Sequence, residues 1–517
     1  MLFCLSVVAN LNVAASADQL LAGTAKRDIT DYQAGPVNDP LFVKALVMTS
    51  SSTTAVIVTV DAVAIGEIGR IDHTFLPSVR QQIEKDLKIP GINIVVNASH
   101  CHGIVLPDIT QKTVQAIKEA WNRREPVRVG CGVGFENRIM ENRRLRLKNG
   151  DEIDVRHAYS LPPDVEVAEV GPIDPQIGIL RLDRLNGDPL ALVYQFACHP
   201  IQGIPGGGNT ADLVGFASKV IEENLGHANP PETLGNPSNE NRTSQPKTPG
   251  IIAFFLQGCG GDINPIDYKD VHHPRNAEIL GNRLGLSTLK AARQIQCTDS
   301  KELIILSEKI NLPRGDRDER IRSLKAERQR QVASLRGTSL NLKNFMVLSN
   351  KYKLSPEYPS ANAHRYLQEE ALGTHHLQSL DSENRKNIAA YLRNVRTMEN
   401  ITRLNTNLNL LEKHQGSLIA SGKRVIEVEL SAIRIGEFRL VTFPGELTVQ
   451  LGLNFKKNSK SPNAFLSGYT NGYIYYAPTA AQLRNPGNAQ EDCDSILSPQ
   501  WESIFEKKSI ELLQRLN

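Results

Sequence analysis

Short apolar runs alternate with amphipathic stretches along the first half of the chain. Ala55-Val56-Ile57-Val58-Thr59-Val60 is apolar at nearly every position, the pattern of a strand covered on both faces. From Pro77 onward Val79, Ile83 and Leu87 recur at helical spacing, with proline in the first turn. The pattern predicts a strand over Ile92 to Val96, then a helix carrying Val114, Ile117 and Trp121 on one face. Further strands are predicted at Ile177 to Leu182, Leu190 to Ala197 and Ile251 to Leu256. Strands separated by helical patterns predict an α/β protein: a layered mixed sheet, largely buried and parallel in type, flanked by helices.

The pattern changes after a strand predicted at Leu303 to Leu312. From 314 to 421 the chain is polar, with Arg/Glu-rich helical stretches such as Asp318 to Arg336, whose mixed charges fit a solvated helical face rather than a nucleic-acid patch. Alternation resumes at Ile426, Val428, Leu430 and Ala432, with Glu427, Glu429 and Ser431 between them. Residues 314–421 therefore read as a helical insertion between neighbouring strands of one catalytic domain, 18–517. Residues 228 to 250, rich in Pro, Asn, Ser and Thr, read as a long loop.

Composition narrows the class without naming an activity. Of 517 residues, 40% are hydrophobic and 22% charged, as in an ordinary globular protein. With 59 basic against 56 acidic residues the net charge is +3, so no global field argues for a nucleic-acid partner. Residues 1–17 are apolar and small, and Ala15-Ser16-Ala17 before Asp18 fits a signal-peptidase site; a cleaved export signal and a periplasmic or extracellular location are expected. No segment reaches the ~18 apolar residues of a membrane span, although peripheral contact with a lipid surface stays compatible with the sequence. Cys4, Cys101, Cys131, Cys198, Cys259, Cys297 and Cys493 show no CxxC spacing and indicate no disulfide framework.

Candidate chemistry lies at strand ends. The run Ile94-Val95-Val96-Asn97-Ala98-Ser99 ends in His100-Cys101-His102, and side chains at i and i+2 of an extended segment point the same way, so both imidazoles can converge. His199 likewise follows an apolar run, Tyr194-Gln195-Phe196-Ala197-Cys198. Ligand sites in open α/β sheets form at the carboxyl ends of strands, so a carboxylate and a fourth ligand are sought nearby. Glu446, at the Pro444-Gly445 turn on an exposed strand-to-helix edge, and the tyrosines of Gly472-Tyr473-Ile474-Tyr475-Tyr476 are the candidates.

In order and spacing these segments resemble the neutral (alkaline, non-lysosomal) ceramidases and their broad bacterial relatives. The resemblance runs through Ala22-Gly23-Thr24-Ala25, Asn38-Asp39-Pro40-Leu41, Asn97 to His102, Asn142-Arg143-Arg144, Phe196 to Pro200, Gly261-Asp262-Ile263-Asn264-Pro265, Phe443 to Glu446, and Asn471-Gly472-Tyr473 with Tyr476. It implies a zinc-dependent hydrolase cleaving an N-acyl bond of a small-molecule or lipid substrate, with His100, His199, Glu446 and Tyr476 as zinc ligands and Tyr473 as the alternative to Tyr476. It further implies that His102 faces the scissile carbonyl, that zinc-activated water attacks, and that His102 and Tyr473 give hydrogen bonds to the oxyanion. Asp262 is a candidate to orient a ligand and Asn264 to donate to the substrate. Three departures weigh against ceramide itself: Asn264 stands where the family has serine, 314–421 has no clear counterpart, and too few residues follow Tyr476 for the family's immunoglobulin-like domain. An esterase or a non-lipid amidase on the same site, or an inactive metal-binding surface protein, are the competing readings.

Overall fold

The computed structural model describes residues 19–155, 161–226, 250–268, 270 and 272–517; the expected export signal and the loop at 228 to 250 lie essentially outside these. Eight strands form the larger sheet in the order Ile252–Gln257, Pro189–Phe196, Gln176–Arg184, Glu125–Phe135, Leu21–Asp28, Phe42–Ser50, Thr53–Val60 and Ile94–Ala98. A second sheet has four: Leu303–Pro313, Val425–Ile435, Phe438–Thr442 and Ala464–Ser467.

The larger sheet is mixed, and mostly antiparallel rather than parallel in type. Its centre is joined by tight connections: Ser50 pairs with Thr53 across a two-residue turn in which Ser51 has φ 50°, and such turns link only antiparallel neighbours. Parallel pairing occurs at the two ends, between Thr53–Val60 and Ile94–Ala98 and between Pro189–Phe196 and Ile252–Gln257. In both cases a helix, Phe75–Leu87 or Asp212–Leu225, makes the crossover that parallel strands require. The second sheet repeats the device, with helix Val449–Ser459 between the parallel strands Phe438–Thr442 and Ala464–Ser467.

The layers follow from which side of each strand is apolar. Leu46, Ile57, Val95, Leu180 and Val193 of the larger sheet share one core with Ile433, Phe438, Leu440 and Phe465 of the smaller, so the sheets pack face to face. The opposite face of the larger sheet, through Val47, Val58 and Val96, is covered by helices Phe75–Leu87 and Ile109–Asn122, and further along by Asp212–Leu225 and Ala277–Ala292. Helix Trp501–Arg515 covers the outside of the smaller sheet. With both faces buried, the strands are apolar throughout rather than alternating.

Leu303–Pro313 and Val425–Ile435 pair along their whole length, Leu303 with Ile435 through Pro313 with Val425. The chain between them is helical: Asp318–Ser334, Leu342–Leu354, His364–Ala371 and the 46-residue helix His376–Ser421. Ile321 and Leu324 pack on Leu404, Leu408 and Leu411 at the base of this segment. No helix among the described residues is long and apolar enough to cross a membrane.

Candidate metal centre

His100, His199 and Glu446 each follow a strand of one of the parallel pairs, the place where an α/β sheet presents side chains to a ligand. The two ends of the larger sheet are brought together by Asn97, a buried amide in an apolar strand. Its Oδ1 accepts from Gln257 N (3.0 Å), and its Nδ2 donates to Gly468 O and Thr470 Oγ1 (2.8 Å each). That one side chain ties the strand before His100 to the strand before Gly260 and to the loop carrying Tyr469.

Convergence of the histidines comes from a turn and not from strand alternation. The strand ends at Ala98, and His100 takes a left-handed conformation, φ 67°, with its N–H donating to Ala62 O (2.9 Å). A non-glycine residue held there is uncommon and marks a site whose surroundings fix it. The turn buries His100 at 3% exposure and leaves His102 exposed, the two rings edge to face at 5.3 Å.

Each buried imidazole is oriented by a main-chain carbonyl. His100 Nδ1 lies 2.7 Å from Val63 O, and His199 Nδ1 lies 2.5 Å from Gly260 O and 3.1 Å from Ile263 O. With Nδ1–H donating, the Nε2 lone pairs point inward, to within 3.7 Å (His100) and 3.2 Å (His199) of Glu446 Oε2. All three ligand atoms lie within 4.8 Å of one another, and this group could hold a metal ion. The close packing is local: a Cβ on Gly261 would come within 2.7 Å of Glu446 O, and Gly261 N donates to Leu447 O (2.8 Å).

Glu446 is not on an exposed edge; it is 1% exposed. Tyr473 donates to its Oε1 and Tyr469 to its Oε2 (3.0 Å). Burial pushes the carboxyl up, but the two imidazoles and the Tyr473 hydroxyl outweigh it and hold Glu446 well below the usual carboxylate range. Burial, then the neighbouring Glu446 charge, pushes both tyrosines up, so they stay protonated donors. Tyr473 thus points its O–H at Glu446 and keeps its proton.

Tyr476 pairs with Glu446 in a short parallel ladder, so their side chains stand side by side. Its hydroxyl oxygen accepts from Arg143 Nη2 (3.1 Å). Arg143 is fully buried and also donates to Glu491 Oε1 (2.6 Å), Gly261 O (2.5 Å) and Asn264 Oδ1 (3.1 Å). Asn264 is therefore buried behind Arg143 and is not among the residues lining the cavity. The Asp262 Oδ1 accepts from Val449 N (2.7 Å), anchoring helix Val449–Ser459.

A cavity of about 440 Å³ opens onto His100, His199, Glu446, Tyr473 and Tyr476, with His102 in its wall. Tyr469 and Glu491 were not singled out in the sequence. A polar residue inside an apolar run, as at Asn97, and the paired charges Arg143-Arg144 and Glu491-Asp492 are the signals that point to such buried networks.

No protein-family model matches the chain, and no curated protein matches it. Among solved structures, neutral ceramidase from Pseudomonas aeruginosa superposes with a TM-score of 0.56 at 15% identity, over 96% of this chain and 74% of that one. A ceramidase complexed with C2 gives 0.57 at 15% identity, over 96% and 75%. The chain has the ceramidase fold. The sheets of that fold carry His100, His199 and Glu446 at their strand ends.

Proposed function

We propose that this chain is a zinc-dependent hydrolase of the neutral ceramidase type, exported from the cell, that cleaves an amide bond in an N-acyl substrate. The observation that carries the reading is the convergence of two inward-facing Nε2 atoms and a buried carboxylate at the floor of an open cavity. Two neutral imidazoles and a carboxylate are a zinc donor set, and backbone carbonyls behind both rings are the usual support for such ligands. Tyr476 is the fourth ligand in this reading, because its register beside Glu446 and the Arg143 hydrogen bond to its oxygen both favour an oxygen donor there.

Zinc held by these residues supplies Lewis acidity to water and to a carbonyl oxygen. The chain's own groups do the rest. His102, in the cavity wall beside His100, hydrogen-bonds the carbonyl oxygen as it gains charge. Tyr469 and Tyr473 fix both oxygens of Glu446. Arg143 fixes the Tyr476 oxygen, and Glu491 and Asn264 hold Arg143. Asn264 in this reading is a positioning residue and no nucleophile, so hydrolysis needs no serine at that position.

The test is metal analysis joined to turnover. The purified chain is expected to carry zinc and to hydrolyse members of a panel of N-acyl lipids and smaller N-acyl amines, with loss on chelation and recovery on zinc. A chain that takes up no zinc, or one whose hydrolysis ignores chelators, overturns the proposal.

A further inference from the structure

We infer that the cavity takes a substrate bearing an anionic group, and that Arg275 and Lys413 at its mouth bind that group. This rests on the amidase reading above and narrows its substrate to N-acyl compounds with a carboxylate, sulfonate or phosphate near the scissile bond.

Both side chains line the same cavity as His100 and Glu446, and both are exposed. They come from opposite parts of the chain. Lys413 stands on the long helix His376–Ser421, and Arg275 just precedes helix Ala277–Ala292. Each is steadied by an aromatic face: Lys413 Nζ lies 4.5 Å from the centre of the Tyr475 ring, and the Arg275 guanidinium 5.8 Å from that of Tyr268. Tyr475 is anchored in turn, its hydroxyl donating to Glu67 Oε2 (3.0 Å).

Neither cation makes an ion pair with a carboxylate among the described residues, whereas the acids around the cavity are all engaged. Glu446 faces the imidazoles and two phenols. Asp494 Oδ1 lies 2.8 Å from His414 Nε2. Asp212 accepts from Gly203 N (2.6 Å) at Oδ2 and from Leu213 N (2.7 Å) at Oδ1. The mouth therefore carries two cations that make no ion pair among the described residues, while the carboxylates lining the cavity are already engaged by hydrogen bonds. The aliphatic lining is sparse, Ile68, Pro200 and Ile201, which gives a long alkyl chain little to bury against. A charged guanidinium and an ammonium converging on one space are instead the groups that bind an oxyanion.

The experiment compares N-acylglycine, N-acyltaurine and N-acylethanolamine phosphate with neutral N-acylethanolamine of the same acyl chain. At least one anionic substrate is expected to exceed the neutral one in kcat/KM by about 10- to 100-fold, the range for a charge-assisted contact. Arg275→Gln and Lys413→Gln each lower that ratio, Lys413→Glu lowers it further, and Lys386→Ala, on the same helix but outside the cavity lining, does not. In parallel, N-acetylglycine binding is measured by calorimetry on the metal-free protein. It is expected to weaken with added salt and in both Gln variants. Equal turnover of neutral and anionic substrates, with ratios untouched by the variants, overturns the inference while leaving the amidase reading standing. If no amide is hydrolysed, the amidase reading fails, and calorimetry still decides: binding lost in the Gln variants upholds the anion site, and binding absent or unchanged in them rejects it.

Discussion

Among the described residues, Glu446 and Asp381 are each held by two tyrosine hydroxyls, and Glu446 alone of the pair belongs to the candidate centre. Glu446 accepts from Tyr469 and Tyr473 beneath the cavity. Asp381, in the long helix of the outer helical segment, accepts from Tyr352 and Tyr366 (2.7 Å each). Both are buried, Asp381 at 8% exposure and Glu446 at 1%. The neighbours differ. Glu446 faces two imidazoles and an open cavity, whereas beside Asp381 the Arg385 guanidinium lies over Tyr352, 4.6 Å from the ring centre. A carboxylate clamped by phenols is thus a device for joining segments. It becomes a candidate metal site where strand ends bring two imidazole nitrogens beside it.

Removing the carboxylate charge should separate the two most sharply. Glu446→Gln is expected to lose zinc and at least about a thousandfold in kcat/KM, because ligand and local charge go together. His199→Ala should do the same, while His102→Ala keeps the metal and slows turnover by about 10²- to 10³-fold, as for one transition-state donor. Asp381→Asn should leave zinc content and turnover intact. Zinc analysis and steady-state kinetics check all four, and equal zinc loss in the His102 and His199 variants would reject the division of roles.

Next in size is the buried ion pair behind the centre. Arg143 and Glu491 are both fully buried, and burial alone would pull the guanidinium down; Glu491 and then Tyr476 outweigh it and keep it charged. Glu491→Ala strands that charge and should cost about 3–5 kcal/mol in chemical denaturation. Among the described residues Asp381 has no such ion pair, so its removal strands no buried cation.

Much of this was legible in the chain. The strands that end before His100 and His199 and those flanking 314–421 follow from periodicity, because burial on two faces leaves a continuous apolar run whatever its partner, whereas Glu446 is a candidate from its Pro444-Gly445 turn. Strand direction did not follow, since a crossover helix and a tight turn must be distinguished before pairing is known, and the centre of the larger sheet turned out antiparallel. Partners across long separations were also hidden. Tyr469 reads as any aromatic until Asn97 draws its loop to the strand before His100, and Glu491 reads as a helix-start acid until Arg143 meets it. Asn264 shows the same limit: Arg143 donates to its oxygen, a contact that no spacing rule encodes.

Smaller again is a pH effect confined to the centre's surroundings. Burial pushes the Asp262 carboxyl up to about 6 from an ordinary 3.8. The folded chain therefore holds this proton where the unfolded chain releases it. The stabilisation is complete below about pH 4 and is lost as pH rises through about 6. Asp262→Asn keeps an acceptor for Val449 N and removes the titration, so the stability of the variant relative to the parent should rise between pH 4 and 6, as read by urea denaturation at each pH. A parallel pair of curves would show that Asp262 ionises normally.

The smallest expected effect returns to the outer clamp. Tyr352→Phe removes one neutral donor from Asp381 and leaves the other, from Tyr366, in place. The cost should be about 0.5–1.5 kcal/mol, that of a single hydrogen bond whose acceptor still has a partner. Tyr352→Phe with Tyr366→Phe should cost more than the sum of the two singles, because only the double variant leaves the buried carboxylate without a phenol donor. Neither should change zinc content or the selectivity between anionic and neutral substrates, since Lys413 lies far along the same helix, near its C-terminal end. Loss of turnover in step with stability would mean that the clamp reaches the cavity through the helix, making the outer segment part of the functional unit rather than a mount for its base.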